Sequence, residues 1–261
     1  MALTDNLVSY YKCDTNGSFP DALDNNNGSL NGPTYTASGK INGAYELDGN
    51  NDYISFASSS TGWIFTDGGS FSFWVYLDAS SSVEEDFLYF RRGAVGGDPY
   101  ILVRRNADGS ILFRFRGTGG SSKAVTVTEA SGDVTEGEWV HYVLSYDGSE
   151  LTVYKNNSSI GTDSDVAVGT IDFDTFTTDS DNGLRFGTSP AGVNPADGKI
   201  DEIGIWTRDL SSAEVSELYN SGNGLQYPFT SGWTGTVCTV LNPAKINGIE
   251  VANISKVSGV E

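Results

Sequence analysis

Residue types that carry out chemistry are scarce in this chain of 261 residues. Its single histidine, His141, lies in an apolar strand-like run with no serine or cysteine elbow to serve, so a histidine-based triad is not expected. Cys13 and Cys238 lie far apart without metal-binding spacing, which favours two unpaired thiols. The sequence also lacks a glycine-rich phosphate loop and a zinc constellation. These absences favour a protein that is not an enzyme.

Positive charge is the second scarcity. The chain has 15 Lys and Arg against 34 Asp and Glu, a net charge of −19. Nucleic-acid phosphates would be repelled, so we expect no nucleic-acid partner. No apolar run approaches the length needed to span a membrane, and the first residues lack the basic and apolar regions of a secretory signal. We therefore expect no membrane insertion and a chain made in the cytoplasm.

Short apolar runs joined by glycine- and asparagine-rich turns make up most of the chain. Ser70–Leu77 alternates aromatic residues in a way that suits one buried face, and Asp147-Gly148 is typical of a two-residue hairpin turn. Roughly a dozen such runs, with no helices between them, predict an all-β, two-sheet antiparallel sandwich.

One segment, Gly198–Gly222, predicts a helix after the last strand of this sandwich. Ser211 stands three residues before Glu214, which makes a capping box, and an apolar stripe follows. Gly222 is expected to close the helix. Composition changes after Pro228, so we expect a domain over residues 1–228 and a C-terminal extension over 229–261.

Six segments in order resemble the laminin-G-like members of the concanavalin A-like lectin/glucanase superfamily. They are LVSYY, DALDNNNGSLNG, GKINGAYELDGNNDYISF, SFSFWVYL, EWVHYVLSYDGSELTVYKN and GKIDEIGIWTRDLSSAEVSELYNSG. The resemblance implies a jelly-roll sandwich from about Leu7 to Leu225. Asp24 and Asn157 replace glycines that the family usually has in turns, and both residue types tolerate the left-handed backbone.

The same resemblance implies a structural calcium ion where the first turn meets the last strand. The matching positions are Asp21 and Asp201, with turn oxygens from Asn25 onward completing the ligand set. The alternative is that Asp21 caps its own turn and that Asp201 is a solvated strand end.

Arginines and loop aromatics are the candidate glycan-binding residues. Six of the eight arginines fall between Arg91 and Arg116. Neighbouring strands would gather them into a patch for a carboxylated or sulfated glycan or for an acidic neighbouring subunit. The alternative is local pairing with Glu84, Glu85 and Asp86. The candidates for carbohydrate binding are Trp63, Tyr100, Arg104, Arg114, Arg116 and Trp233.

The extension contains Lys245–Glu250 and a similar copy, Lys256–Glu261. It resembles the C-terminal ends of tailed-phage virion proteins. This resemblance implies a non-catalytic virion decoration or adhesion protein, assembled in the host cytoplasm, with 229–261 contacting other virion proteins or a second copy of the chain. Weak binding of a cell-surface glycan by the loop aromatics and the arginine patch would serve the adhesion role. The alternatives are a carbohydrate-binding module that acts alone or with a separate enzyme, or a glycosidase using Glu84 and Asp86.

Overall fold

The computed structural model describes residues 1–56, 62–78, 83–92, 99–117, 121–128, 135–164, 168–173 and 183–229, and the backbone of 245–246 and 249–250. The chain divides into two compact units, Met1–Tyr227 and Pro228–Glu261. Within the described ranges, none of the helices is both long enough and apolar enough to cross a membrane.

The first unit is built from short strands. In chain order they are β1 (Leu7–Tyr11), β2 (Ser29–Asn31), β3 (Thr34–Thr36), β4 (Ala44–Asp48), β5 (Tyr53–Ser55), β6 (Ile64–Phe65), β7 (Gly69–Leu77), β8 (Glu85–Arg91), β9 (Tyr100–Arg105), β10 (Ile111–Arg116), β11 (Ser122–Val127), β12 (Trp139–Tyr146), β13 (Leu151–Lys155), β14 (Ser158–Asp163), β15 (Ile171–Asp172), β16 (Gly183–Phe186) and β17 (Asp197–Trp206).

These strands form two large antiparallel sheets and one small one. An eight-stranded sheet has the order β14-β13-β12-β7-β17-β4-β3, with β1 also paired to β17. A seven-stranded sheet has the order β11-β10-β9-β8-β16-β5-β2, and β6 pairs with β15 separately. The predicted all-β, two-sheet antiparallel sandwich of the concanavalin A-like type is confirmed.

The core lies between the two large sheets because each strand alternates its side chains. In β7, Phe71, Phe73 and Val75 are buried in the core cluster. In β10, the inward residues Phe113 and Phe115 are fully buried in the same cluster. Since successive side chains of a strand point to opposite faces, the residues between them reach the outer surfaces of the sandwich.

One α-helix, α1 (Ser212–Tyr219), follows β17 within the described residues, and a single 3-10 turn, Asn220–Gly222, comes directly after it. The predicted capping box is confirmed: the Ser211 hydroxyl accepts the Glu214 N–H, and the Glu214 carboxylate accepts the Ser211 N–H. The predicted closure at Gly222 is wrong. The helix ends at Tyr219, and Asn220 takes the left-handed conformation with φ 49°.

The two replaced turn glycines keep the expected backbone. Asp24 has φ 59° and Asn157 has φ 70°. Both values lie in the left-handed region, which short polar side chains tolerate better than most others do. The substitutions therefore leave the turns intact. Cys13 is buried, and Cys238 lies outside the described residues.

In the second unit, β18 (Lys245–Ile246) pairs antiparallel with β19 (Ile249–Glu250). These strands are the two halves of the first copy of the internal repeat. The second copy, 256–261, lies outside the described residues.

Candidate functional site

The outer surface of the seven-stranded sheet carries most of the arginines in the predicted cluster. In β10 the half-buried Arg114 and Arg116 alternate with buried phenylalanines, so both arginines point away from the core. The strand register places further outward residues beside them. We define the arginine–tyrosine face by its seven half-buried side chains: Tyr53, Tyr89, Arg91, Tyr100, Arg114, Arg116 and Arg185.

Cross-strand pairing arranges this face in two rows. In the first row Tyr100 of β9 lies directly between Arg116 of β10 and Arg91 of β8. In the second row Arg185 of β16 pairs with Tyr89 of β8, and Leu102 connects Tyr89 to Arg114. The rows are two residues apart along each strand, so they share one face.

Contacts within the face hold its rings and guanidinium groups in place. Arg114 Nη1 donates a hydrogen bond of 2.9 Å to the hydroxyl of Tyr100, and the Arg116 guanidinium lies 5.5 Å from the Tyr100 ring centre. Arg185 lies 4.3 Å above the ring of Tyr53. Such cation–π contacts orient both partners.

The arginines of the chain fall into two groups by their partners. Arg92, Arg104, Arg105 and Arg208 each have a carboxylate within 4.0 Å. Among the described residues, no carboxylate lies within that distance of Arg91, Arg114, Arg116 or Arg185. The four arginines without such a partner are therefore the four on the arginine–tyrosine face.

Arg104 lies on the same side of the sheet, but its guanidinium is already paired. It contacts Asp86 at 2.6 and 3.1 Å and Glu84 at 2.8 Å. The local pairing that the sequence offered as an alternative is thus correct for Arg104. We leave it out of the arginine–tyrosine face because its charge is neutralised within the protein.

Trp63 does not offer a ring to solvent, which corrects the sequence prediction for this residue. Its side chain is fully buried. The indole stacks on Phe90 at 5.1 Å and donates to the Ser9 hydroxyl at 3.1 Å. The flanking Gly and Ser residues suggested an exposed turn, but the ring turns inward between the sheets. Trp233 lies outside the described residues.

The Asp21 carboxylate holds the turn that follows β1. Its Oδ1 accepts the N–H groups of Tyr10 and Leu23 at 2.9 and 3.0 Å, and its Oδ2 accepts the Asn26 N–H at 3.0 Å. Asn25, the third predicted metal ligand, is exposed. The alternative in which Asp21 caps its own turn is the one that these contacts support.

Asp201 is fully buried in β17, so it is not the solvated strand end that the alternative described. Its carboxylate accepts the N–H groups of Ile41 and Glu202 at 3.0 and 2.8 Å. Burial, together with the charge of the neighbouring Glu202, raises the pKa of Asp201 to about 9. Burial also raises the pKa of Glu202 to about 8.

These residues as arranged do not fit a calcium ion. Calcium takes six to eight oxygen ligands. Here backbone N–H groups occupy the carboxylates of Asp21 and Asp201. The described part of the chain contains no group of three His, Cys, Asp or Glu side chains that would hold a metal. The first strand meets the last through the β1–β17 ladder instead, and calcium stays a sequence-based prediction.

A buried Ser–His contact was not expected from the sequence. His141 Nε2 lies 2.8 Å from the Ser72 hydroxyl, and Nδ1 has no hydrogen-bond partner among the residues that the structure describes. The imidazole stacks on Trp74 at 5.0 Å. Burial, assisted by the charge of Lys40, lowers the pKa of His141 to about 3. A neutral, fully enclosed imidazole packs the protein, which agrees with the structural role expected for it.

The fold agrees with the comparison with known families. The profile of the Concanavalin A-like lectin/glucanases superfamily matches residues 48–216, which is more than half of the chain. The chain belongs to this superfamily. The matched residues include β8, β9, β10 and β16, which carry most of the arginine–tyrosine face.

Solved structures of binding domains are similar to this member of the superfamily. The binding domain of Paraclostridial Mosquitocidal Protein 1 matches 85% of this chain over 53% of its own, with TM-score 0.64 and 17% identity. The Botulinum Neurotoxin serotype G binding domain matches 82% over 50% of its own, with TM-score 0.63 and 17% identity. The chain thus spans about half the length of each.

A third structure is similar over nearly its whole length. Domain 4 of AbnA, a GH43 extracellular arabinanase from Geobacillus stearothermophilus, was solved in complex with arabinotriose. It matches 84% of this chain over 98% of its own, with TM-score 0.59 and 20% identity. At these identities the likeness shows the fold alone. No curated protein matches the chain.

Proposed function

We propose that the protein is a non-catalytic carbohydrate-binding module and that it binds glycans on the arginine–tyrosine face. The observation that carries this proposal is the set of half-buried tyrosines and carboxylate-free arginines on one sheet surface. Membership of a lectin-containing superfamily supports it. So does the similar AbnA domain, which was solved with an oligosaccharide.

The face has the chemical groups that sugar recognition needs. Tyrosine rings pack against the apolar faces of sugar rings, and the tyrosine hydroxyl keeps a hydrogen-bonding tip. Arginine presents several N–H donors in a planar fork that suits ring oxygens and hydroxyls as well as anions. At Tyr100 the two kinds of group meet: Arg114 donates to the tyrosine hydroxyl, and Arg116 lies over the tyrosine ring.

The carboxylates nearest to this face are held in contacts that do not resemble a hydrolytic pair. Asp86 is fully buried and accepts two hydrogen bonds from Arg104. Glu84 accepts from the same guanidinium and from the amide of Asn194. Groups neutralised in this way are poorly placed to exchange protons with a substrate, which supports a binding role over the glycosidase alternative.

The virion role stays a prediction. It depends on the extension 229–261, of which the structure describes Phe229 and the backbone of β18 and β19. The similar structures named above are two binding domains and one domain of an arabinanase, so the proposal is argued from the arginine–tyrosine face and not from assembly.

Binding of the full chain to a glycan array, followed by calorimetric titration of the best hit, tests the proposed function. Tyr100→Ala is expected to weaken binding at least tenfold, because the variant loses the central ring of the face. Tyr154→Ala is the matched control: this half-buried tyrosine lies on the eight-stranded sheet, and its loss should leave affinity unchanged. Equal losses in both variants, or no glycan bound at all, would refute the proposal.

A further inference from the structure

Resting on the proposed glycan-binding function, we infer that the ligand of the arginine–tyrosine face is an anionic glycan whose carboxylate or sulfate groups pair with Arg91, Arg114 and Arg116. The basis of this inference is the position of these arginines around one tyrosine ring, with no carboxylate of the described part of the chain within 4.0 Å of them.

The partner pattern is informative because carboxylates are abundant in this chain. Acidic residues outnumber basic ones by 34 to 15. Four arginines do find carboxylates, including the fully buried Arg105 on Glu85 at 3.0 Å. Against that background, four guanidinium groups on one sheet face without a carboxylate partner among the described residues form a positive surface on a strongly negative molecule. A bound anion would compensate it.

The spacing of the first row suits a sugar with charged substituents. Neighbouring antiparallel Cα atoms are about 4.5–5.5 Å apart, so Arg91 and Arg116 flank Tyr100 with about 10 Å between their Cα atoms. A sugar stacked on Tyr100 would have a guanidinium at either side. Arg114 lies two residues from Arg116 on the same strand and adds a third donor at the hydroxyl of Tyr100.

Arginine chemistry favours an oxyanion over a neutral hydroxyl at these positions. Bidentate arginine–carboxylate and arginine–sulfate-type contacts are roughly twice as strong as hydrogen bonds between neutral groups. Among the described residues the buried Nε atoms of Arg114 and Arg116 have no acceptor, and Arg114 Nη1 donates to the neutral hydroxyl of Tyr100 rather than to a carboxylate. The Arg104–Asp86–Glu84 cluster, in which one guanidinium contacts two carboxylates, borders the face and limits the anion-binding area to its two rows.

The net negative charge of the molecule confines the attraction for anions to the immediate surroundings of the arginine–tyrosine face. At −19 the protein repels polyanions over long distances. Salt at about 0.1 M reduces the range of that repulsion to about 10 Å. An anion in contact with the face then interacts mainly with its arginines. We therefore expect binding at moderate ionic strength and its loss at high salt.

The experiment uses matched polysaccharides, one charged and one neutral. The full chain is titrated with dextran sulfate against dextran, and with polygalacturonate against its methyl ester. The dextran pair tests binding of sulfate groups, and the polygalacturonate pair tests binding of carboxylate groups. We expect at least tenfold tighter binding to one charged polymer than to its neutral partner. Arg114→Gln with Arg116→Gln should remove that difference.

The charge-matched control is Lys12→Gln with Lys199→Gln, which removes two positive charges away from the arginine–tyrosine face and should leave the preference unchanged. Thermal unfolding of each variant confirms that it is folded. The variant Arg114→Lys with Arg116→Lys keeps the positive charges but loses the planar guanidinium groups, so it should bind with intermediate affinity.

The outcomes separate this inference from the proposed function. Equal binding of charged and neutral polymers, with loss in Tyr100→Ala, would overturn the anion inference and leave the glycan-binding function standing. No binding to any polymer or array glycan would overturn both. A dimer in sedimentation that disappears in the arginine double variant would show that an acidic second copy occupies the face instead.

Discussion

At the scale of single residues, His141 shows most clearly how folding can oppose the protonation of a side chain. It is buried against Trp74 and Tyr219, and burial lowers its pKa in the folded protein to about 3. The unperturbed pKa of histidine is about 6.5. Between these two values the unfolded chain binds a proton that the folded protein excludes. This residue therefore contributes stability at neutral pH that is lost as the pH falls below about 6.5.

We predict that His141→Gln has a weaker pH dependence of stability than the parent chain. Between the two pKa values the histidine adds at most about 1.4 kcal/mol per pH unit to the slope. The free energy of unfolding, measured by denaturant titration from neutral pH down to about pH 4, checks this. The carboxylates titrate in both proteins, so the difference between the two curves gives the contribution of His141 alone. Parallel curves would show that the imidazole is not kept neutral by burial.

Residue-level prediction from the sequence succeeded where strand alternation decides the outcome. Arg114 and Arg116 lie between apolar residues of ILFRFR, and this pattern alone places them opposite the core. Trp63 shows the limit. Its Gly- and Ser-rich surroundings gave no periodicity, and only the packing of Phe90 from a distant strand buries its ring.

At the scale of elements, α1 is the best example of a local signal that determines structure. Ser211 and Glu214 satisfy each other's backbone donors, and Arg208 contacts the same Glu214 carboxylate at 2.6 Å. The start of the helix could therefore be predicted to the residue. Its end could not, because Asn220 takes a left-handed conformation that asparagine permits but does not require.

Ser211→Ala is expected to lower the free energy of unfolding by about 1 kcal/mol, since it removes the N-cap acceptor. Ser212→Ala is the control, because Ser212 is an exposed residue of the first turn that makes no capping contact. Chemical denaturation of both variants gives the comparison. A loss in Ser212→Ala as large as that in Ser211→Ala would mean that the capping box contributes nothing.

The sequence predicted the arrangement of the strands that form the arginine–tyrosine face only in part. The sequence indicated strands at β8, β9 and β10 and a cluster of arginines along them. It gave no register between the strands, and register decides that Tyr100 lies between Arg116 and Arg91. Arg185 joins the face through β16, which is far away in the chain, so no local pattern would have included it.

At the scale of the whole molecule, the sandwich has two different outer surfaces. The outer side of the eight-stranded sheet carries Trp74, which is buried beneath Lys40 and Tyr219. The seven-stranded sheet combines half-buried rings with half-buried arginines, whereas on the eight-stranded sheet Lys199 lies over the half-buried ring of Tyr76. The two-sheet fold was predictable because the alternation of apolar and polar residues, the turn sequences and the family resemblance all indicate a sandwich. The assignment of one surface to binding was not, because it depends on which side chains find partners.

Chemical-shift mapping of the isotope-labelled chain with the glycan that binds best tests most directly that the arginine–tyrosine face is the binding site. The account predicts that the largest changes fall on Tyr89, Arg91, Tyr100, Arg114 and Arg116, with little change around Trp74 and Trp139 on the opposite sheet. Changes centred on that opposite sheet, or on residues 229–261 alone, would contradict it.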